Sequence, residues 1–457
     1  MPKDFIMRDQ HRLLALIELE ALSAHGVFTG HGTGTQDNQL VRDANGLPAL
    51  PSSSIAGVLR HAVASTRSLA AAEDMFGFAS GDQGQMSRVS ISWGFALDSQ
   101  GNCYQGLTQL LDTDPVIKLL LSEQPVLRPR VRLNQYGSAD NGGLFHLAFA
   151  PKGVRYRLFL ELTNQDQNGL QDDWATLCQA LASPMLRFGH GTHSGFGAFK
   201  CNAIKTAQYN LLDGDVIRYA RRTRDRNSDA GLNHFELPKW HESGINYRFS
   251  VQAEGGLAIG GGTQPLSSVE NPALIPLRES VISWQGQQAS LVQQVVIPGS
   301  SLKGALAHRT EFYANVLTEN WATEVNTVQH SEKHELVSAI FGNASDLSDG
   351  QSLGQAGQLL FEDIYVENPV VVTQMHNKID PFTGGTVTGA LFCDEMLWQP
   401  ELNISIWLQA MDVDDKALEA FEMALDDLKI GMLPIGARSG RGMGTLIEKP
   451  ATEGEAV

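Results

Sequence analysis

Leu50-Pro51-Ser52-Ser53-Ser54-Ile55-Ala56-Gly57-Val58-Leu59-Arg60-His61 returns later in the chain as Ile297-Pro298-Gly299-Ser300-Ser301-Leu302-Lys303-Gly304-Ala305-Leu306-Ala307-His308. Each copy reads as a turn with a serine N-cap running into an amphipathic helix, with Ile55, Leu59 and Val63 inward and Leu69 the next candidate on that face. A Phe-Gly pair follows each helix, Phe76-Gly77 and Phe341-Gly342. Gly143-Leu144-Phe145 then matches Ala390-Leu391-Phe392, and Gly191-Thr192-His193-Ser194-Gly195-Phe196-Gly197 matches Gly436-Ala437-Arg438-Ser439-Gly440-Arg441-Gly442. Four landmarks thus recur in one order, offset by about 245 to 265 residues, far above the roughly 20 to 50 residues of a solenoid repeat. The repeating unit is a whole domain. The polar, turn-rich run Asp225 to Gly231 sets the expected boundary, giving domains 1–225 and 226–457.

The length agrees, because 457 residues exceed one ordinary core and suit two domains of roughly 200 residues. Each copy opens with strand alternation, at Leu14 to Leu22 and at Tyr247 to Ala253. Further strands are expected near 88–92, 155–162, 359–364 and 402–408. Late in the second copy, Leu418, Phe421 and Leu425 share one helical face. Strand, helix, strands, helix, strand is the ferredoxin-like, RRM-like order. The fold class is therefore α+β, with two tandem ferredoxin-like domains.

Charge argues against the obvious partner of such a fold. The net charge is −17, whereas nucleic-acid binding leaves a basic footprint. Positive charge is instead local, at Arg128-Pro129-Arg130-Val131-Arg132 and at Arg218, Arg221, Arg222, Arg224 and Arg226. Acid gathers at Asp412, Asp414, Asp415, Glu419, Glu422, Asp426 and Asp427, expected to face solvent or a partner subunit. The N-terminus lacks an apolar core of signal-peptide length, and no run of about 18 apolar residues occurs. Cys103, Cys178, Cys201 and Cys393 lack CxxC spacing, so a disulfide framework or zinc knuckle has no support. A cytoplasmic protein with reduced thiols and no membrane partner is expected.

The combination of a Gly-rich turn, Asp37-Asn38 with Arg42-Asp43, Gly46-x-Pro48-x-x-Pro51, a Ser-Ser helix start and a Phe-Gly pair resembles the RAMP superfamily of CRISPR-associated proteins. More narrowly it is similar to the Csm- and Cmr-type RNA-cutting backbone subunits of type III effector complexes. Two such domains in one chain resemble the fused subunit of type III-D variant systems. The resemblance spans about residues 14 to 448. It implies palms that hold guide crRNA, thumb hairpins at Arg132–Leu144 and Lys378–Leu391, a paired target RNA, and other CRISPR effector subunits as neighbours.

It also implies chemistry for the loop Gly30 to Asp43, where Asp37 matches the family's RNA-cutting Asp and is the metal candidate. A 2′-hydroxyl attacks the adjacent phosphorus in line with the leaving 5′-oxygen, and a carboxylate-held divalent cation, Mg²⁺ by preference, stabilises phosphoryl charge. Read from the residues alone, such an Asp is also an ordinary turn residue. The second copy places Glu270-Asn271 there, with a longer reach that alters in-line geometry. Asp380 is a lesser rival. Ser53, Ser54, Ser300 and Ser301 serve either as caps or as guide-phosphate contacts at helix starts, with Arg60 and Lys303 adding charge. Arg130, Arg132 and Lys378 flank the thumbs. The terminal loops are phosphate nests or simple turns; Arg438 and Arg441 favour the first in one copy, while His193 and Phe196 offer stacking in the other. A guide-binding backbone without cutting, and a His-dependent precursor-processing nuclease using His25 or His31, are the alternatives.

Overall fold

The computed structural model describes residues 10–30, 38–108, 113–133, 139–240, 244–320, 334–343, 354–409 and 413–450, with the backbone alone at 132, 133 and 139–146. The first domain runs β1 (His11–Ala21), β2 (Ala49–Leu50), α1 (Ser52–Thr66), α2 (Leu69–Phe76), β3 (Val89–Ile91), β4 (Gly94–Ala96), α3 (Pro115–Leu121), β5 (Val126–Leu133), β6 (Ala139–Phe149), β7 (Arg155–Asn164), α4 (Gln167–Ala182), β8 (Phe199–Asn210), α5 (Val216–Ala220) and β9 (Asn233–Phe235). Its sheet has the order β9-β8-β1-β7-β4-β2, with β3 also paired to β7. Central β1 is antiparallel to both neighbours, with Ile17 opposite Ile204 and Leu158. Leu13, Ala15, Ile17 and Leu19 share one core with Leu59 of α1 and Leu177 of α4. Ile55, Leu59 and Val63 are buried as their spacing requires. Leu69 is not: it starts the separate helix α2 and is 63% exposed, because the chain turns at Arg67-Ser68 and the stripe ends.

The second domain runs β10 (Ile245–Ala253), β11 (Arg278–Gln285), β12 (Gln288–Ile297), α6 (Gly299–Leu317), α7 (Glu335–Phe341), β13 (Leu359–Phe361), β14 (Ile364–Val366), β15 (Val371–His376), β16 (Phe392–Trp398), β17 (Glu401–Leu408), α8 (Asp415–Lys429) and β18 (Leu446–Glu448). Its sheet order, β13-β17-β10-β18, repeats β3-β7-β1-β8 of the first domain. Both are antiparallel sheets of the strand–helix–strand–strand–helix–strand kind. Phe421 and Leu425 of α8 are buried in the second core. Asp427 is buried as well, held by Arg309 at 2.5 Å and Tyr313 at 2.6 Å, so it departs from the solvent face expected of that acidic run.

Besides α3, which has no counterpart between β14 and β15, two features that break the repeat bear on the joint. The segment after β8 folds back over the outer face of the first sheet. Arg218 lies over Tyr209, Arg222 over Tyr219, and Arg226 over Phe95, at 4.8, 3.8 and 4.6 Å from the ring centres. These arginines cover the sheet, and β9 extends it by pairing with β8. The turn-rich run 225–231 therefore stays with the first domain, whose sheet continues to Phe235. The second difference is the β11–β12 hairpin, where the first copy has only a short turn before β2. It packs on the first domain: Ile282 N donates to Lys152 O (2.9 Å), Trp284 Nε1 to Gly153 O (2.7 Å) and Ala289 N to Ser99 O (2.8 Å). Ile282 even enters the first core.

Candidate nucleic-acid interface

Prolines set both helix starts. Pro51 and Pro298 occupy the N-cap positions, extended at ψ 141° and 133°, and neither proline caps its helix, although Asp363 Oδ1 accepts from Gly299 N at the start of α6. Their carbonyls take the first helical bonds, from Ser54 N and Ser301 N. Ser53, Ser54, Ser300 and Ser301 thus sit inside the first turns rather than capping them, a correction to the capping reading. The first turn of α1 keeps N–H groups without a side-chain cap, the arrangement that binds phosphate, whereas at α6 the first N–H, that of Gly299, is already taken by Asp363. Arg60 lies half-buried on α1, two turns on.

The start of α6 abuts the first domain. Gly195 of the Gly-rich loop 191–197 bridges to Glu362 in parallel, and a Cβ there would meet Asp363 and the Gly299 backbone. Gly195 has φ +98°, so only glycine suits this approach. His193 Nδ1 lies 3.0 Å from Leu359 O, where its N–H tautomer donates. Burial, and then the charges of Lys303 and Arg187, hold the His193 pKa below its usual value. His193 and Lys303 are therefore neighbours across the joint, but the histidine is turned to protein. Phe196 is fully buried and stacked on Phe149 at 4.1 Å, so it offers no surface to a base.

Beneath this loop lies a buried ion cluster. Arg128 Nε and Nη2 each donate to Glu279 at 3.0 Å, and Nη1 lies 2.8 Å from Asp363 Oδ2. Tyr365 donates to Glu279, and Asp363 Oδ1 accepts from Gly299 N, both at 2.8 Å. Burial opposes the Arg128 charge, yet Asp363 and Glu279 raise its pKa well above the ordinary value. Burial pushes the Asp363 carboxyl up to about 6 against the pull of Arg128. Of the basic run before the first hairpin, Arg128 is thus committed to the joint. Arg130 lies over Phe196 at 5.5 Å, and the Arg132 side chain lies outside the described residues.

In the second domain the corresponding loop is open. Arg438 takes a left-handed conformation (φ 64°), with Nε and Nη2 donating to the buried Asp394 at 2.9 and 3.3 Å. Arg438 and Arg441 both lie 5.6 Å from the centre of Phe392, and His376 stacks on the same ring at 5.0 Å. Arg441 is exposed. Phe392 and His376 escaped the sequence reading; the signal was Phe392, last residue of the repeated Ala-Leu-Phe landmark. Lys378 is exposed in the compact turn 377–391 between β15 and β16. Asp380 Oδ1 there accepts from Phe382 N and Thr383 N, a turn role.

Of the proposed catalytic loops, Asp37 and His31 lie outside the described residues. Glu270 is exposed, beside Asn271 at φ 51°. Its loop is fastened by the fully buried Glu395 of β16, which accepts from Leu266 N (2.9 Å), Ser267 N (2.8 Å) and the Ser267 hydroxyl. Among the described residues no three His, Cys, Asp or Glu side chains converge as a metal group. The exposed Glu270 carboxylate fits a largely hydrated Mg²⁺, which takes one or two carboxylates and fills its remaining positions from water and phosphate. His25 is a core residue: its neutral ring accepts from Tyr156 OH (2.7 Å), and burial drives its pKa down to about 3. It does not serve a His-dependent nuclease.

No described helix is long and apolar enough to cross a membrane. The family model for the RAMP superfamily matches residues 18–200 and again residues 252–447. No curated protein matches the chain.

Proposed function

The chain belongs to the RAMP superfamily, matched once in each of its two domains, and from that membership we propose a guide-RNA-binding backbone subunit of a type III CRISPR effector complex, in the fused double-domain form. The joint carries the reading. The terminal Gly-rich loop of one domain abuts the Ser-Ser helix start of the next, whose first N–H is held by Asp363. The sealed loop thereby fixes the two helix starts relative to one another, and one ribonucleotide strand runs from the first domain to the second along those starts and the open loop of the second domain. Lys303, Arg441 and the His376–Phe392 stack supply charge and a stacking surface along that route. Arg438, anchored by Asp394, shapes the loop more than it reaches outward.

In the same proposal the paired target RNA is cut at the loops of Asp37 and Glu270. Bound Mg²⁺ supplies neutralising charge at the phosphoryl oxygens. The loop carboxylate orients the site, and the backbone holds the target ribose so that its 2′-oxygen lines up with the departing 5′-oxygen. The 2′-oxygen–phosphorus bond forms as the phosphorus–5′-oxygen bond breaks, leaving a 2′,3′-cyclic phosphate, and the proton lost by the 2′-hydroxyl ends on the released 5′-oxygen. A target-cleavage assay on the assembled particle, with and without Mg²⁺, tests this. Asp37→Ala is expected to remove one product with assembly intact, and Glu270→Ala another. An unchanged product pattern in Asp37→Ala overturns the cutting assignment and leaves a guide-holding backbone.

A further inference from the structure

The two domains are equivalent, so the surface of the second that receives the first has a counterpart on the first that faces outward. Strand register identifies it. Ala49 and Leu50 pair with Phe95 and Gly94, just as Val296 and Ile297 pair with Tyr365 and Ile364. Phe95 therefore corresponds to Tyr365, and Trp93 to Asp363. At the internal joint two cations of the first domain cover these positions: Lys152 lies 3.7 Å from the centre of the Tyr365 ring, and Arg128 sits against Asp363. On the first domain, Arg226 of the same chain covers Phe95 in place of Lys152. Arg128 has no such replacement: Trp93 is 40% exposed, and among the described residues no cation lies over its ring. Beside it opens a cavity of about 300 Å³ lined by Arg42, Asp43, Asn45, Trp93, Phe95 and Tyr104.

The cavity's polar groups are unevenly satisfied. Arg42 donates to the carbonyls of Gly46, Leu120 and Ser122, at 2.6, 2.7 and 2.6 Å. Asp43 Oδ1 accepts from Asn45 N and Leu47 N, at 2.8 and 2.9 Å. Asp43 Oδ2 is buried without a hydrogen-bond partner, a costly state for a carboxylate oxygen. We propose that this cavity receives an arginine side chain from a neighbouring polypeptide, its guanidinium stacked on Trp93 and its charge set against the Asp43 carboxylate. Burial outweighs the backbone bonds and Arg42 in holding the Asp43 carboxyl above its usual range, and an incoming guanidinium would reverse that.

The neighbour is not a second copy of this chain. In the β15–β16 hairpin the residue at the Arg128 position is Gln374, because Gln374 pairs with Asp394 as Arg128 pairs with Leu147. The other acids of the internal joint are missing too: Ser92 stands at the position of Glu362, and Glu279 belongs to a hairpin the first domain lacks. The inference rests on the equivalence of the two domains and is independent of whether either loop cuts RNA.

Gln374→Arg gives the chain the arginine its own free end lacks, at an exposed strand position where folding is not at risk. Sedimentation equilibrium of full-length protein then reads the outcome. Wild type is expected to stay monomeric, and the variant to self-associate roughly tenfold more tightly or better, the scale of a Trp–Arg hot spot. Adding Trp93→Ala, or the milder Asp43→Asn, is expected to return it to wild-type behaviour. A variant that associates no better than wild type overturns the proposal, as does association indifferent to both second changes. Wild type self-associating as tightly as the variant overturns the exclusion of a second copy.

Discussion

The loop 191–197 and the loop 436–442 descend from one pattern, yet the first is sealed and the second is open. In the first, Phe196 is buried, His193 faces a carbonyl of the other domain, and Gly195 lies against Asp363. In the second, Arg441 and Gly440 are exposed and nothing lies within 4 Å of a Cβ built at Gly440. The side chains, not the backbone, made the difference. Backbone bonds set the register two residues on from the sequence match: Arg438 and Arg441 stand where the sealed loop has Gly191 and Ser194, and buried Met443 stands where it has Phe196, so the arginines alone make the second loop positive. A duplicated domain thus uses one loop as mortar and the other as a binding edge.

The ion cluster is where that contrast breaks most readily. Arg128→Ala leaves Glu279 and Asp363 buried without their cation, an expected loss of about 3–5 kcal/mol in denaturant unfolding. The exposed counterpart Gln374→Ala is expected to cost under about 0.5 kcal/mol. An equal effect at the two positions would refute the sealed-versus-open distinction.

Acid separates the domains next. Folded His25 stays proton-free down to about pH 3, whereas the unfolded residue takes up a proton below about 6.5. The unfolded state binds more protons in that window, so the contribution is fully present above it and is lost as pH falls. The loss is about 1.4 kcal/mol per pH unit, near 4 kcal/mol by pH 3. Leu257 stands at this place in the second domain, pairing with Leu397 as His25 pairs with Ala150. The first domain is expected to unfold at higher pH than the second, and His25→Gln to remove the gap; fluorescence and proteolysis across an acid titration check it. Asp363, with its pKa raised to about 6, runs the other way, its share of stability falling as pH rises from about 4 to 6.

Glycine substitutions test the loops directly. Gly195→Ala adds a Cβ that meets Asp363 at φ +98°, an expected cost of about 2–4 kcal/mol, while Gly440→Ala is expected to be nearly neutral. Thermal melts of the two variants distinguish them.

The duplication, the strand order and both helix starts were legible because each rests on local rules: period, proline, and the serine-glycine pattern. Their pairing across the joint was not. Arg128 reads in sequence as one more member of a basic run, and only its burial against Glu279, which is 151 residues away, turns it into a joint residue. The arginines 218, 222 and 226 mislead in the same way, since cation–π stacking on Tyr209, Tyr219 and Phe95 depends on the chain folding back. Serine capping failed for a local reason: a proline N-cap takes the place a serine would need.

The smallest effect concerns the two candidate cutting loops. Glu395 fastens the Glu270 loop through two amides and a hydroxyl, whereas Ala148 occupies its place in the first domain and has no acceptor to offer. Glu395→Gln keeps the shape and removes the charge, weakening those bonds by about 1–2 kcal/mol. Hydrogen exchange at Leu266 and Ser267 is expected to quicken by about five- to thirtyfold while β17 stays protected. If the loop instead exchanges at the wild-type rate, Glu395 is merely a buried acid and the second loop is held by something else. If it quickens and Glu270-dependent cutting falls with it, the carboxylate's position, rather than its presence alone, sets what the second domain does.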